Sequence, residues 1–104
     1  RTVVARPDGV VAICPTGNSG MATAGTGDVL TGMIVGLLAQ GLPSWEAACA
    51  ATYLHGVAGD LAATRKGQAG LISRDVLEMI PYALKLMGQA PSSDPNQCIG
   101  NDLV

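Results

Sequence analysis

The sequence predicts an α/β fold in which a β-hairpin is followed by three or four helices, with a sheet that is incomplete in this chain. Two short β-branched runs near the start predict the hairpin, and apolar residues at helical spacing after residue 26 predict the helices. The 104 residues suffice for one small domain or for part of a larger one. We expect residues 1–88 to form the folded part and the polar residues 89–104 to form a mobile tail.

The composition excludes several classes of protein. Six Lys and Arg residues stand against eight Asp and Glu and are not clustered, which predicts no nucleic-acid partner. The apolar run at 29–39 is shorter than the roughly 20 residues that a membrane span needs, so we expect no membrane segment. Cys14, Cys49 and Cys98 lack the spacing of a zinc site or a disulfide framework, and the first residues do not resemble a signal peptide. We therefore expect a cytoplasmic protein.

The hairpin is predicted from the runs at 2–5 and 10–14. Pro7-Asp8-Gly9 lies between them and is typical of a tight turn, because proline presets one dihedral angle and glycine accepts a positive φ. Neither run alternates polar with apolar residues, so we expect both faces of the hairpin to be covered within a larger sheet.

A glycine-rich turn follows at residues 23–28, Thr-Ala-Gly-Thr-Gly-Asp, and leads directly into an apolar helix. Glycine lets the backbone approach a ligand closely, and the first N–H groups of a helix have no intrahelical partner. Because the helix dipole adds partial positive charge there, Gly25, Thr26 and Gly27 are predicted to bind phosphate.

Polar residues on both sides of the turn are further candidates. Asn18 and Ser19, in the loop 15–20, can offer hydrogen bonds to a ligand held at the turn. Two interpretations of Asp28 remain open, since aspartate is a common helix cap and a carboxylate beside a phosphate site can also serve chemistry.

The first helix is predicted to begin near Gly27 or Asp28, to end near Gln40 with Gly41 as its stop, and to be buried nearly all round. Gly32 and Gly36 lie on one stripe of it, where another backbone is expected to come close.

Two more helical segments complete the folded part. One is predicted from Ser44, as N-cap, to about Arg65. The other is predicted from Ser73, as N-cap, with either a break or kink at Pro81 or a new short helix that begins near Pro81 and ends around Gly88.

His55 and Asp60 lie on the second predicted helix. Neither has a partner at metal-ligand spacing, so both are interpreted as ordinary structural residues and no metal ligand is assigned.

A longer pattern resembles a known family. Residues 18–32 read Asn-Ser-Gly-Met-Ala-Thr-Ala-Gly-Thr-Gly-Asp-Val-Leu-Thr-Gly, and Leu-Ala-Gln-Gly at 38–41, Tyr-Leu-His-Gly at 53–56 and Gly59-Asp60 follow. Together they resemble the C-terminal part of the ADP-dependent NAD(P)H-hydrate dehydratases of the ribokinase-like superfamily. The resemblance covers roughly residues 3–84 and departs at Ala24, where the family more commonly has glycine.

The resemblance implies a fold and an activity. The fold is the C-terminal portion of a ribokinase-like three-layer domain, to which residues 1–88 belong and whose N-terminal half is missing here. The activity is nucleotide-dependent dehydration of hydrated NADH or NADPH to NAD(P)H, a lyase reaction of metabolite repair that uses ADP or ATP and Mg²⁺ held outside this chain. The isolated piece need not be active, and its partly uncovered first helix predicts a homo-oligomer or docking to the missing half.

The resemblance also implies roles for individual residues. Gly25, Thr26 and Gly27 form the anion hole, with Gly27 against the nucleotide. Asp28 is the catalytic base and contacts the hydrated nicotinamide, with Asn18 as a second substrate-binding residue.

Two other functions are compatible with the same turn. A ribokinase-like kinase would use it to phosphorylate a vitamin-type alcohol, although the Asn-x-Gly-Met-Ala lead-in at 18–22 argues against this. The chain could also be a non-catalytic helical assembly fragment.

Overall fold

The structure, a computed structural model, describes residues 1–88, and the tail predicted at 89–104, with Cys98, lies outside them. A β-hairpin is followed by three helices, which confirms the predicted order of elements. None of the helices within residues 1–88 has the length and apolar character of a transmembrane segment. The elements are β1 (Val3–Ala5), β2 (Val11–Ile13), a 3₁₀ turn (Ser19–Met21), α1 (Thr26–Ala39), α2 (Ser44–Lys66) and α3 (Ser73–Gly88).

The hairpin is antiparallel, and Val4 lies opposite Ala12. Its turn has the predicted chemistry, with Gly9 at a φ of 91°. Ala12 is buried, whereas Val3 and Val11 on the other face are 57% and 51% exposed. The three helices of the described part cover one face of the hairpin only, and cover of the other face by a larger sheet stays a prediction.

The covered face of the hairpin packs on the start of α2. Ala12, Cys14 and Cys49 form a buried cluster, and the Cys14 thiol donates a hydrogen bond to the carbonyl oxygen of Thr52 at 3.6 Å. Burial is the main reason that the pKa of the Cys49 thiol is raised. The cluster fixes the strand end that leads into the loop 15–20.

The first helix begins one residue before the predicted start, and Gly41 ends it at a φ of 97°. Of its fourteen residues only Thr26 is buried, and Val35 is 59% exposed, so burial nearly all round is wrong for residues 1–88. A Cβ atom added at Gly32 or Gly36 would meet nothing within 4 Å. No other backbone therefore lies close to the stripe of Gly32 and Gly36. The helices α2 and α3 cover only part of the apolar surface of α1.

The central element is α2, which packs against both other helices. Its alanines allow close packing, and the main core joins it to α3. Ser44 is the first helical residue rather than the N-cap, which is Pro43 in an extended conformation without a side-chain bond. The buried members of the core are Leu54, Ala58, Ala62, Leu71, Val76, Met79 and Ala83.

The third helix also starts one residue earlier than predicted, so Ser73 is helical and not the N-cap. The Asp75 carboxylate accepts a hydrogen bond from the Ile72 N–H at 2.9 Å, and the Asp75 N–H donates to the Ile72 carbonyl at 3.0 Å. This reciprocal pair caps the helix start. Lys66 donates to the same carboxylate at 2.7 Å.

The predicted break at Pro81 and the alternative of a new helix beginning near it are wrong, because α3 continues through Pro81 to Gly88, whereas the kink stays a prediction. Proline removes one hydrogen bond to the carbonyl four residues earlier, that of Leu77. Both residues are exposed, so water can satisfy this carbonyl and the helix can continue.

Replacing Asp75 with asparagine should remove part of the acid sensitivity of the fold. The hydrogen bond from Lys66 and that from the Ile72 N–H lower the pKa of Asp75. A lowered folded-state pKa contributes stability that is complete above the unfolded pKa, near 4, and is lost as pH falls through the folded pKa. The difference in Tm between wild type and Asp75→Asn should therefore shrink from about pH 7 to about pH 2.5. A constant difference, or the same behaviour in the exposed control Glu78→Gln, would contradict this.

Candidate functional site

The glycine-rich turn has its sharpest bend at Gly25, where φ is 91°. A Cβ atom there would lie 2.8 Å from the Ser73 hydroxyl, so both backbone and space require glycine. No described residue other than glycine has a positive φ, and Ala24 is therefore unstrained. The departure from the family pattern at Ala24 leaves the turn intact.

Thr26 fixes the turn from inside. Its buried hydroxyl shares its one proton between the carbonyl oxygens of Met21, at 2.8 Å, and Thr23, at 2.9 Å. The side chain is therefore committed to the loop, and the Thr26 backbone N–H, which donates to the Thr23 carbonyl at 3.5 Å, can bind an anion only in exchange for this long bond.

Gly27 lies at the exposed start of α1, and a Cβ atom there would meet nothing within 4 Å. The N–H groups of this first turn have no intrahelical partner. The backbone is open to a ligand at this point, and the helix dipole favours a negative one.

Asp28 is the third residue of α1, and the N-cap is Gly25, so the cap interpretation of Asp28 is wrong. The Asp28 side chain is exposed. Within residues 1–88 its carboxylate has no hydrogen-bond or ion-pair partner. A carboxylate left free beside a turn suited to anions is available for a substrate.

Asn18 is held at both ends of its amide. Its Nδ2 donates to Asp60 Oδ1 at 2.9 Å, and its Oδ1 accepts from the Gly20 N–H at 3.0 Å. The second oxygen of Asp60 accepts from the Gly17 N–H at 3.0 Å. The loop that carries Asn18 is thereby tied to the middle of α2.

Two glycines of α2 let this loop lie directly on the helix. A Cβ atom at Gly56 would come within 2.7 Å of the backbone carbon of Thr16, and one at Gly59 within 2.6 Å of the end of the Met21 side chain. The Thr16 hydroxyl also donates to the Tyr53 carbonyl at 2.9 Å.

His55 ties α2 to the start of α1. The ring is buried, and its Nε2 lies 3.0 Å from the Thr26 carbonyl oxygen. Burial lowers the pKa of His55, while the hydrogen bond to Thr26 raises it to a smaller extent. In its neutral form the ring donates from Nε2, since a carbonyl can only accept, and Nδ1 is then an acceptor.

These parts surround an open cleft of about 530 Å³. It brings together Asn18, Thr26 and Gly27 of the predicted site residues, whereas Gly25 and Asp28 do not line it. The polar members of the lining are Arg1, Thr2, Thr16, Asn18, Ser19, Thr26, Thr52 and His55.

Sequence reasoning missed the roles of His55 and Asp60. Their partners lie 29 and 42 residues away, respectively, so no local spacing reveals them. The available signal was the pair Gly56 and Gly59, three residues apart on one helix face, which allows another segment to approach.

A family model described as NAD(P)H-hydrate dehydratase matches residues 1–82 of this chain. A bifunctional NAD(P)H-hydrate repair enzyme of Moorella thermoacetica is 58% identical over 85 residues, which cover 82% of this chain and 16% of the relative. An ADP-dependent (S)-NAD(P)H-hydrate dehydratase of Neisseria meningitidis serogroup B is 49% identical over 77 residues, covering 73% of this chain and 26% of the relative. The chain thus spans about a sixth to a quarter of the length of these relatives.

Proposed function

The chain belongs to the NAD(P)H-hydrate dehydratase family, and from this membership we propose that the whole protein dehydrates hydrated NADH or NADPH back to NAD(P)H. The observation that carries the proposal is the free carboxylate of Asp28 in the same helical turn as the open backbone of Gly27. A base and an anion-binding turn are the two groups that a phosphate-coupled dehydration requires. One relative's name specifies ADP, which supports ADP as the co-substrate.

In the proposed mechanism the ring hydroxyl of the substrate attacks the terminal phosphorus of ADP, and Asp28 accepts the hydroxyl proton. The bond from that phosphorus to the bridging oxygen breaks, and AMP leaves with the electron pair. Backbone N–H groups of Gly25, Thr26 and Gly27 stabilise the charge on the transferring group. Loss of phosphate from the ring carbon, with a proton from its neighbour, restores the double bond.

The proposal extends to the setting of the site. The hairpin with one open face supports a larger sheet of the ribokinase-like three-layer kind, completed by the N-terminal half of the domain. Two buried free thiols, Cys14 and Cys49, support location in a reducing cytoplasm.

No group of three His, Cys, Asp or Glu side chains comes together among residues 1–88, so these residues do not form a Mg²⁺ cage and no proposed step depends on one. The open face of α1 supports formation of a homo-oligomer or docking to the N-terminal half of the domain.

The reaction is tested on the full-length protein with hydrated NADPH plus ADP or ATP. Recovery of NADPH absorbance, with one AMP formed per NADPH when ADP is used, is the expected result. Phosphorylation of a vitamin-type alcohol from a substrate panel, without this recovery, would favour the kinase instead. Absence of nucleotide binding, with a stable oligomer in solution, would favour a non-catalytic assembly role.

Replacing Gly27 with valine should weaken ADP binding about 10- to 100-fold, the effect of losing a hydrogen bond to a charged group. The branched side chain would occupy the open space through which phosphate reaches the backbone. Titration calorimetry on the full-length protein measures the change, with Ala39→Val as the control because it adds a branched side chain at the far end of the same helix. Unchanged ADP affinity in Gly27→Val would remove Gly27 from the site.

A further inference from the structure

We propose that Asp60 is a positioning residue of this site, which holds Asn18 and the cleft wall in the arrangement that the substrate meets. The inference rests on the proposed function, because it assigns Asn18 to the hydrated cofactor. Asp60 itself lies behind the loop, on α2, and acts through the residues it binds.

Both oxygens of the Asp60 carboxylate are occupied by the loop. One accepts from the Asn18 amide at 2.9 Å and the other from the Gly17 N–H at 3.0 Å. Asp60 is half-buried, and no cation pairs with it among residues 1–88. Because both donors are neutral and belong to one loop, the carboxylate fixes the position of that loop and does not neutralise a cation.

These bonds decide which way the Asn18 amide faces. Its nitrogen must point to Asp60, an acceptor, and its oxygen to the Gly20 N–H, a donor. One N–H and one lone pair of the amide then remain for a ligand in the cleft that Asn18 lines. Without Asp60 the amide could flip and present the opposite pair.

The loop is fastened at its other end by Thr26, whose hydroxyl bonds the Met21 carbonyl at 2.8 Å. Met21 in turn lies over Gly59, the residue before Asp60. The loop is therefore held between the start of α1 and the middle of α2. Asp60 is the side chain that binds Gly17 and Asn18 of this loop.

Asp60→Asn tests this, because asparagine can accept only one of the two bonds and presents an N–H group to the other donor. In the full-length protein, kcat/KM for hydrated NADPH should fall roughly tenfold or more, mainly through KM, the scale of one lost polar interaction. The Kd for ADP should stay within about threefold, since the Gly25 to Gly27 backbone is untouched. In an Asn18→Ala background, Asp60→Asn should lower kcat/KM for hydrated NADPH by a markedly smaller factor. Glu78→Gln is the matched control for loss of one negative charge.

Hydrogen exchange of a peptide spanning 16–22 provides a readout that does not depend on the reaction. It should be about tenfold faster or more in Asp60→Asn than in wild type and in Glu78→Gln, because the Gly17 N–H loses its partner. Unchanged exchange would overturn the positioning role. Faster exchange with an unchanged KM for hydrated NADPH would overturn the role of Asp60 in the reaction. The same conclusion would follow if Asp60→Asn lowered kcat/KM equally in the wild-type and Asn18→Ala backgrounds. Wild type that fails to turn over hydrated NADPH would instead refute the proposed function, and exchange would still decide whether Asp60 positions the loop.

Discussion

Replacing Asp28 with asparagine is expected to lower the turnover of hydrated NADH by about 10²- to 10⁴-fold, the usual effect of losing a positioned general base. Asparagine has nearly the same shape as aspartate but cannot take up the proton of the substrate hydroxyl. The loss should therefore appear in kcat, since the substitution removes chemistry rather than contacts.

The structure also limits what the substitution can do to the fold. Because Gly25 is the N-cap and the Asp28 carboxylate has no partner within residues 1–88, no described hydrogen bond is lost. Only the favourable charge in the first turn of α1 disappears, which contributes about 0.3–1 kcal/mol to the free energy of unfolding. ADP affinity should hold or rise, since a negative charge leaves the neighbourhood of the phosphates.

The measurement pairs thermal unfolding with recovery of NADH absorbance in the full-length protein, and Glu78→Gln is the control for a lost surface charge. Near-wild-type turnover in Asp28→Asn would show that the carboxylate is not the base, and the proposed mechanism would be wrong.

The second large effect is expected at Gly56, where alanine should lower the free energy of unfolding by about 1–3 kcal/mol through overpacking. The new Cβ atom would lie 2.7 Å from the backbone carbon of Thr16, and backbone cannot move aside as a side chain can. The gain in helix propensity, about 1 kcal/mol, offsets only part of this. Thr16 lines the cleft, so we also expect weaker substrate binding.

Gly59→Ala is the matched control, because Gly59 is equally buried on the same helix. There the new Cβ atom would meet only the Met21 side chain, whose three rotatable bonds let it adapt. The free energy of unfolding of Gly59→Ala should be close to that of wild type, because the gain in helix propensity compensates the cost of repacking Met21. Urea unfolding of the chain followed by circular dichroism measures both variants. Equal losses in the two would contradict a backbone clash at Gly56.

What the sequence could predict depended on chemistry that is local along the chain. Pro7-Asp8-Gly9 determines the hairpin turn, and the residues from Gly25 to Asp28 mark the turn and the start of α1 together. The predicted N-caps at Ser44 and Ser73 were each wrong by one residue, because both serines are already helical. Local preference did not reveal that Pro81 lies on a solvated helix face.

The parts that sequence could not predict are contacts between distant residues. Nothing near Asp60 in the chain indicates that it binds Asn18, and nothing near His55 indicates the Thr26 carbonyl. The expected burial of α1 also failed for residues 1–88, because the apolar pattern specifies a face to be covered and not the element that covers it.

The hydrogen bonds that hold the loop before the glycine-rich turn have a consequence for the order of folding. Thr16, Gly17, Asn18 and Ser19 all find partners 37 to 49 positions further along the chain, the last of them at Gln68. Contacts of such separation form only after the intervening chain has been ordered, since closing a long loop costs entropy before any contact offsets it.

During synthesis the loop 15–20 leaves the ribosome well before α2 and Gln68, on which its final shape depends. The ligand-facing loop should be among the last parts of residues 1–88 to become native and among the first to open. A substrate that binds Asn18 would then stabilise this late-forming loop more than the helices beneath it.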